Sequence, residues 1–138
     1  MNIKLKMENQ ARQEFASARA RLDAEEEKLL ALVRRKEEYE AEASELRKGT
    51  LDLLRMEENQ AAVVVMDSYI AAQEAEVEKA ENYLETQRAH LAELMMERKT
   101  FETLREKAFQ QFLEDEKRAE SKMVDELVSY TYAANSEE

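Results

Sequence analysis

Arg47-Lys48-Gly49-Thr50 is the one stretch of this chain that reads as a stop followed by a start. Basic residues suit the last turn of a helix, glycine suits the left-handed position just past it, and threonine is able to cap the helix that follows. Gly49 is the only glycine among 138 residues, and there is no proline. Proline costs a helix interior about 3 kcal/mol and glycine about 1 kcal/mol, so nothing else in the sequence breaks a helix. Asp52, early in the next segment, suits a helix N-terminus by its charge. The sequence therefore predicts one coiled-coil domain over residues 1–138. Within it, a helix is expected over about 5–48, a bend over about 49–60 and a second helix over about 61–132.

Each side of the bend carries a seam. Phe15, Ala18, Leu22, Leu29, Leu32, Tyr39, Ala43 and Leu46 alternate at three- and four-residue spacing, with Glu25 and Lys36 interrupting the line. Val63, Met66, Ile70, Val77, Ala80, Leu84, Leu91, Leu94 and Phe101 do the same, interrupted by Gln73, Gln87 and Arg98. A seven-residue apolar repeat held over several turns is the coiled-coil signal. The fold class expected is all-α: a long two-helix antiparallel coiled-coil hairpin with an overhanging C-terminal helix.

One register places residue i opposite residue 109−i, which pairs Phe15 with Leu94, Leu22 with Gln87, Leu29 with Ala80 and Tyr39 with Ile70. It also brings Arg34 and Arg35 near Glu74 and Glu76. Registers displaced by one heptad satisfy the pattern almost as well. In the first register nothing beyond about Leu104 has an intramolecular partner. Yet Leu104, Ala108, Phe109, Phe112, Leu113, Ala119, Met123, Leu127 and Tyr130 keep helical spacing. An isolated helix is marginal in water unless its apolar face is covered, so the overhang calls for another protein or a second copy.

Composition excludes several function classes. Charged residues make up 38% of the chain and the formal net charge is −11, which disfavours a phosphate-binding role that needs clustered Lys and Arg; no nucleic-acid partner is expected. Through Thr50 there are eleven basic and eleven acidic residues, and from Leu51 onward ten and twenty-one, so the acidity lies wholly in the second stretch. That asymmetry reads as a solvated acidic helix face, or as a footprint that steers a basic partner. There is no cysteine, hence no disulfide or thiolate site. No apolar run approaches the roughly 20 residues that span a bilayer, so no direct membrane insertion is expected. Met1-Asn2-Ile3-Lys4-Leu5-Lys6 lacks the apolar core of a secretory signal.

No catalytic, metal or cofactor-binding residues are assigned. His90, the single histidine, flanks the seam and reads as an exposed polar residue, leaving Ser and Thr hydroxyls with no base to activate them. Acidic runs such as Glu25-Glu26-Glu27 and Glu114-Asp115-Glu116 point in different directions around a helix, which makes poor metal cages. No glycine-rich loop exists to cradle phosphate. Met56, Met66, Met95, Met96 and Met123 read as seam or flank fillers, although methionine also suits adaptable binding surfaces.

The order of charges near the C-terminus resembles a known family. Glu97-Arg98-Lys99, Glu102, Leu104-Arg105-Glu106-Lys107, Phe112, Glu114, Arg118, Glu120, Lys122 and Asp125-Glu126 are similar to the C-terminal helix of the FliJ/YscO family of flagellar and type III export proteins. Ala18, Leu22, Glu25-Glu26, Leu29, Leu32 and Glu38-Tyr39 resemble that family's first helix. The chain departs from the pattern at Ile3-Lys4-Leu5, where an aromatic-leucine opening is common, and in its acidic ending Ser129–Glu138.

The resemblance implies a non-enzymatic, stalk-like adaptor without cofactors. Such a protein inserts into the export ATPase hexamer, promotes its assembly and activity, and links it to the membrane export gate protein. Some members also carry export chaperones. It would be cytoplasmic and peripherally associated with the inner membrane at the export apparatus. Residues placed toward the ATPase ring are Arg105, Lys107, Phe109, Phe112, Leu113, Arg118, Lys122, Met123 and Leu127. Residues placed toward the gate are Val63, Val64, Met66, Tyr69 and Ile70, in the most apolar and least helix-like run; packing at the hairpin tip is the plainer reading of that run. Two other classes stay open: an escort chaperone for export substrates or chaperones, and a purely structural coiled-coil dimer.

Overall fold

A computed structural model of the chain describes residues 2–136; Met1, which opens the N-terminal segment, and Glu137 and Glu138, which end the acidic tail, lie outside the described residues. Two helices account for nearly all of it: α1, Asn2–Leu46, and α2, Leu53–Ser136. No strand occurs among the described residues. The chain divides into two compact units, Met1–Leu94 and Met95–Glu138.

The first unit is an antiparallel helical hairpin. Leu22 packs with Val77 and Ala80, while nearer the bend the Asn59 side chain reaches Tyr39, so residue numbers fall along one helix as they rise along the other. Ala11, Ala18, Leu22, Met66, Val77 and Ala80 are buried. Phe15, Leu29, Leu32, Tyr39, Ala43, Leu46, Val63, Ile70, Leu84, Leu91 and Leu94 are half-buried at the same spacing. The expected heptad positions are thus the observed seam up to Leu94. The deepest residues are small, Ala18 and Ala80, because two helices alone enclose little more than a methyl group between their backbones. Flanking leucines are covered on one side only. Each therefore contributes toward the lower end of, or below, the roughly 1.5–3 kcal/mol of a fully buried aliphatic side chain.

The reversal is tighter than the expected 49–60. α1 ends at Leu46, Arg47 and Lys48 fall just past it, and Gly49 takes φ +76° with open space where a Cβ would stand. Glycine is required there by the left-handed backbone and not by crowding. The Lys48 N–H donates to the Glu45 carbonyl at 3.1 Å. Asp52, not Thr50, then caps α2: its carboxylate accepts the Arg55 N–H at 3.2 Å and its carbonyl accepts the Met56 N–H at 3.1 Å. Such a cap contributes about 1 kcal/mol. With the cap at Asp52, α2 resumes at Leu53 and the seam begins earlier, at Met56 and Asn59.

That shorter turn displaces the register. Leu22 faces Val77 and Ala80, not Gln87, and Tyr39 receives Asn59, not Ile70. Arg35 stays on its own helix, bonded to Glu38 at 2.7 Å and lying over the Tyr39 ring at 4.7 Å, instead of reaching the acids of α2. The partners in α2 have moved toward the bend by seven to eleven residues, in the direction that the shortened turn requires.

The second unit is the C-terminal part of α2, a single helix. Every residue from Lys99 to Ser136 is exposed. Phe101, expected to close the seam, is 55% exposed and belongs to this helix's own surface.

Candidate functional site

One pair of polar interruptions meets across the seam, and two further polar contacts join the helices beside it. Gln73 donates from Nε2 to both the Glu25 carbonyl, at 2.9 Å, and the Glu25 carboxylate, at 2.5 Å. Lys36 reaches across to Asp67 at 2.7 Å, and Asn59 donates to the Tyr39 carbonyl at 2.9 Å. A polar group inside a coiled-coil seam costs stability unless matched, so these pairs select the register in which they meet. The Gln87 side-chain oxygen is buried with no hydrogen-bond donor within reach.

The pairs also set local protonation. The Gln73 hydrogen bond, helped by Lys28, holds the Glu25 carboxyl below the usual carboxylate range. Hydrogen bonding to Asp67, with its charge, raises the Lys36 ammonium above the usual lysine range. For Glu25 the folded pKa lies below the unfolded one, so its contribution is present above the ordinary carboxylate pKa and is lost as pH falls through the depressed value. For Lys36 the contribution is present below the ordinary lysine pKa and fades as pH rises through the elevated one. Replacing Gln73 by Leu should therefore flatten the acid side of the stability–pH curve, an effect that urea melts between neutral pH and the carboxylate range would read.

Among the described residues no three His, Asp or Glu side chains gather where a metal ion could sit. An open cleft of about 330 Å³ lies near the bend between Ala43, Leu46, Met56, Asn59 and Val63, lined by seam residues.

Two exposed apolar surfaces remain, one on each unit. On the hairpin, the gate candidates divide. Met66 is buried, and Val63 and Ile70 are half-buried on the seam against α1. Val64 and Tyr69 face outward, joined by Val65. The alternation follows from the seam itself, since Val63, Met66 and Ile70 occupy its heptad positions. The apex of the reversal carries a different apolar group, Leu51, Leu53 and Leu54, which are 58–70% exposed. Sequence reasoning missed these leucines because a bend drawn to residue 60 hid them inside an irregular turn.

On the second unit all nine ring candidates are exposed. At about 100° per residue, Phe109, Phe112, Leu113, Met123 and Leu127 fall within roughly 100° of the helix circumference, and Arg105 lies in the same arc. Lys107 and Arg118 project from the opposite side, and Lys122 from between. The helix thus assembles the apolar candidates with one cation and separates them from the other three. Tyr130 joins the same arc and Val124 borders it, whereas Leu104, Val128 and Tyr132 are exposed outside it. Charges on this helix are partly paired along it: Arg98 bonds Glu102 at 3.0 Å, and Gln111 donates to Asp115 at 3.1 Å.

A family model described as the flagellar FliJ protein matches residues 1–137 of the chain. No curated protein and no solved structure matches it.

Proposed function

Because the chain belongs to the flagellar FliJ family, a component of the flagellar protein export apparatus, we propose that it serves there as a stalk-like adaptor. Its second unit enters the ring of the export ATPase, promoting ring assembly and turnover, and its hairpin contacts the membrane export gate. One observation carries this reading: a helix whose described residues from Lys99 to Ser136 are all exposed nonetheless bears Phe109, Phe112, Leu113, Met123 and Leu127 on one side. Exposed apolar surface of this extent marks an interaction site, and a helix with such a face is suited to a groove or bore lined by apolar residues. Arg105 beside the face supplies one cation for registering against acids of the ring.

The hairpin contributes a second surface. Its second helix is strongly acidic and offers Val64, Val65 and Tyr69 outward, a combination suited to a partner with basic and apolar groups. No helix among the described residues is long and apolar enough to cross a membrane, so the gate contact is read as peripheral, from the cytoplasmic side. No catalytic role is assigned to the chain.

Addition of the protein to purified export ATPase should raise its turnover. The double change Phe112→Ala with Leu113→Ala should weaken that effect about tenfold or more, since two anchor side chains at a helix-in-groove contact each contribute about 1–2 kcal/mol. The salt dependence should persist, because the charges remain. Stimulation undiminished in the double variant would transfer the assignment to an escort role that does not engage the ring.

A further inference from the structure

The apolar period changes between the two units. In the hairpin it is seven. In the C-terminal helix, Phe101, Phe112 and Met123 are eleven residues apart, and Ala108, Ala119 and Tyr130 form a second eleven-residue series. Eleven residues make three turns of about 3.67 residues, close to the helix's own 3.6, so both series stay on one line along a nearly straight helix. All six residues are exposed. The line carries one further position in each repeat: Arg105 in the first, Glu116 in the second and Leu127 in the third. Its charged positions are thus of opposite sign and one repeat apart.

We infer that this line is the contact face of an antiparallel pair formed by the C-terminal helices of two copies of this chain. The offset that sets Arg105 of one copy beside Glu116 of the other also sets Phe101 against Ala119 and Ala108 against Phe112. Two-fold symmetry repeats each of these pairs. Large residues then meet small ones over residues 101–119, which lets two straight helices approach closely there. This is the logic already seen in the hairpin, where Gln73 and Glu25 interrupt their seams and bond to each other.

A competing offset, longer by one repeat, also matches apolar residues, placing Phe112 on Ala119 and Phe101 on Tyr130. It brings Asp115 and Glu116 of one copy against the same acids of the other. That offset also sets Arg105 opposite Glu126, but like charges facing across a helix pair repel, and the first offset keeps two opposite-charge pairs without that repulsion. Charge therefore selects the shorter offset. The pair covers the part of the ring face between Arg105 and Phe112, so the two states exclude each other.

The test needs no ATPase. In sedimentation velocity over a roughly thousandfold concentration range, the weight-average mass of the full chain should rise from the 16.1 kDa monomer toward twice that value. Arg105→Glu alone and Glu116→Arg alone should each weaken association roughly tenfold or more, with helicity by circular dichroism unchanged because both residues are exposed. The two changes together should restore association to within about threefold of the parent, since the pairs re-form with signs exchanged. A mass that stays monomeric throughout would overturn the inference. So would single variants that associate like the parent, or a double variant as weak as the singles.

Discussion

Ending the chain after Glu106 should abolish stimulation of the export ATPase while leaving the hairpin as stable as in the full protein. The hairpin is complete without the removed segment: its seam runs to Leu94 and its six buried apolar residues lie between Ala11 and Ala80. Every described residue after Glu106 is exposed, so its loss opens no cavity and strands no buried polar group. The thermal transition should therefore change by an amount equivalent to about 0.5 kcal/mol or less, the usual range for surface changes. The functional loss should be complete, because the cut removes Phe109, Phe112, Leu113, Met123 and Leu127 together. Paired melts and ATPase titrations of the two proteins read both effects. Full stimulation by the shortened chain would place the ATPase contact on the hairpin.

Ala80→Asp should unfold the hairpin at room temperature. Ala80 is fully buried in a cluster with Leu22 and Val77. A carboxylate there is shut away from water. Burying it unpaired costs several kcal/mol, or forces it to take up a proton. Small domains have about 5–15 kcal/mol in total, and a two-helix seam built on small residues sits at the low end. Val64→Asp is the control, since Val64 is 64% exposed and lies off the seam. It should melt within about 0.5 kcal/mol of the parent. Circular dichroism melts decide the matter, and equal stability of the two variants would mean that Val77 and Ala80 do not lie against α1.

The seam was legible because side-chain spacing on a helix is a local property. Phe15, Leu22, Leu32, Met66, Ile70, Val77 and Leu84 all occupy the positions their alternation implied. The register was not legible from spacing, since a heptad repeat is satisfied equally by displacements of seven. What settled it was turn length: α2 resumes at Leu53, behind the Asp52 cap, and not near residue 61. Once the turn shortened, Tyr39 met Asn59 and Phe101 left the seam.

The pairing of Gln73 with Glu25 was legible in hindsight. Both interrupt their seams, and polar interruptions in facing seams are cheapest where they meet. For the candidate surfaces, exposure of the C-terminal helix followed from the unequal arms, but the division of its cations did not. Arg105 shares the apolar face while Lys107 and Arg118 point away, which requires following the helix angle residue by residue. The apex leucines stayed hidden for the same reason as the register.

Site-specific photocrosslinking tests the central claim most directly. A photoreactive residue placed at position 112 of the full chain should crosslink to the export ATPase, and the same residue at position 64 should not. Crosslinks to the ATPase from position 64 with none from position 112 would contradict the assignment of the C-terminal helix to the ring.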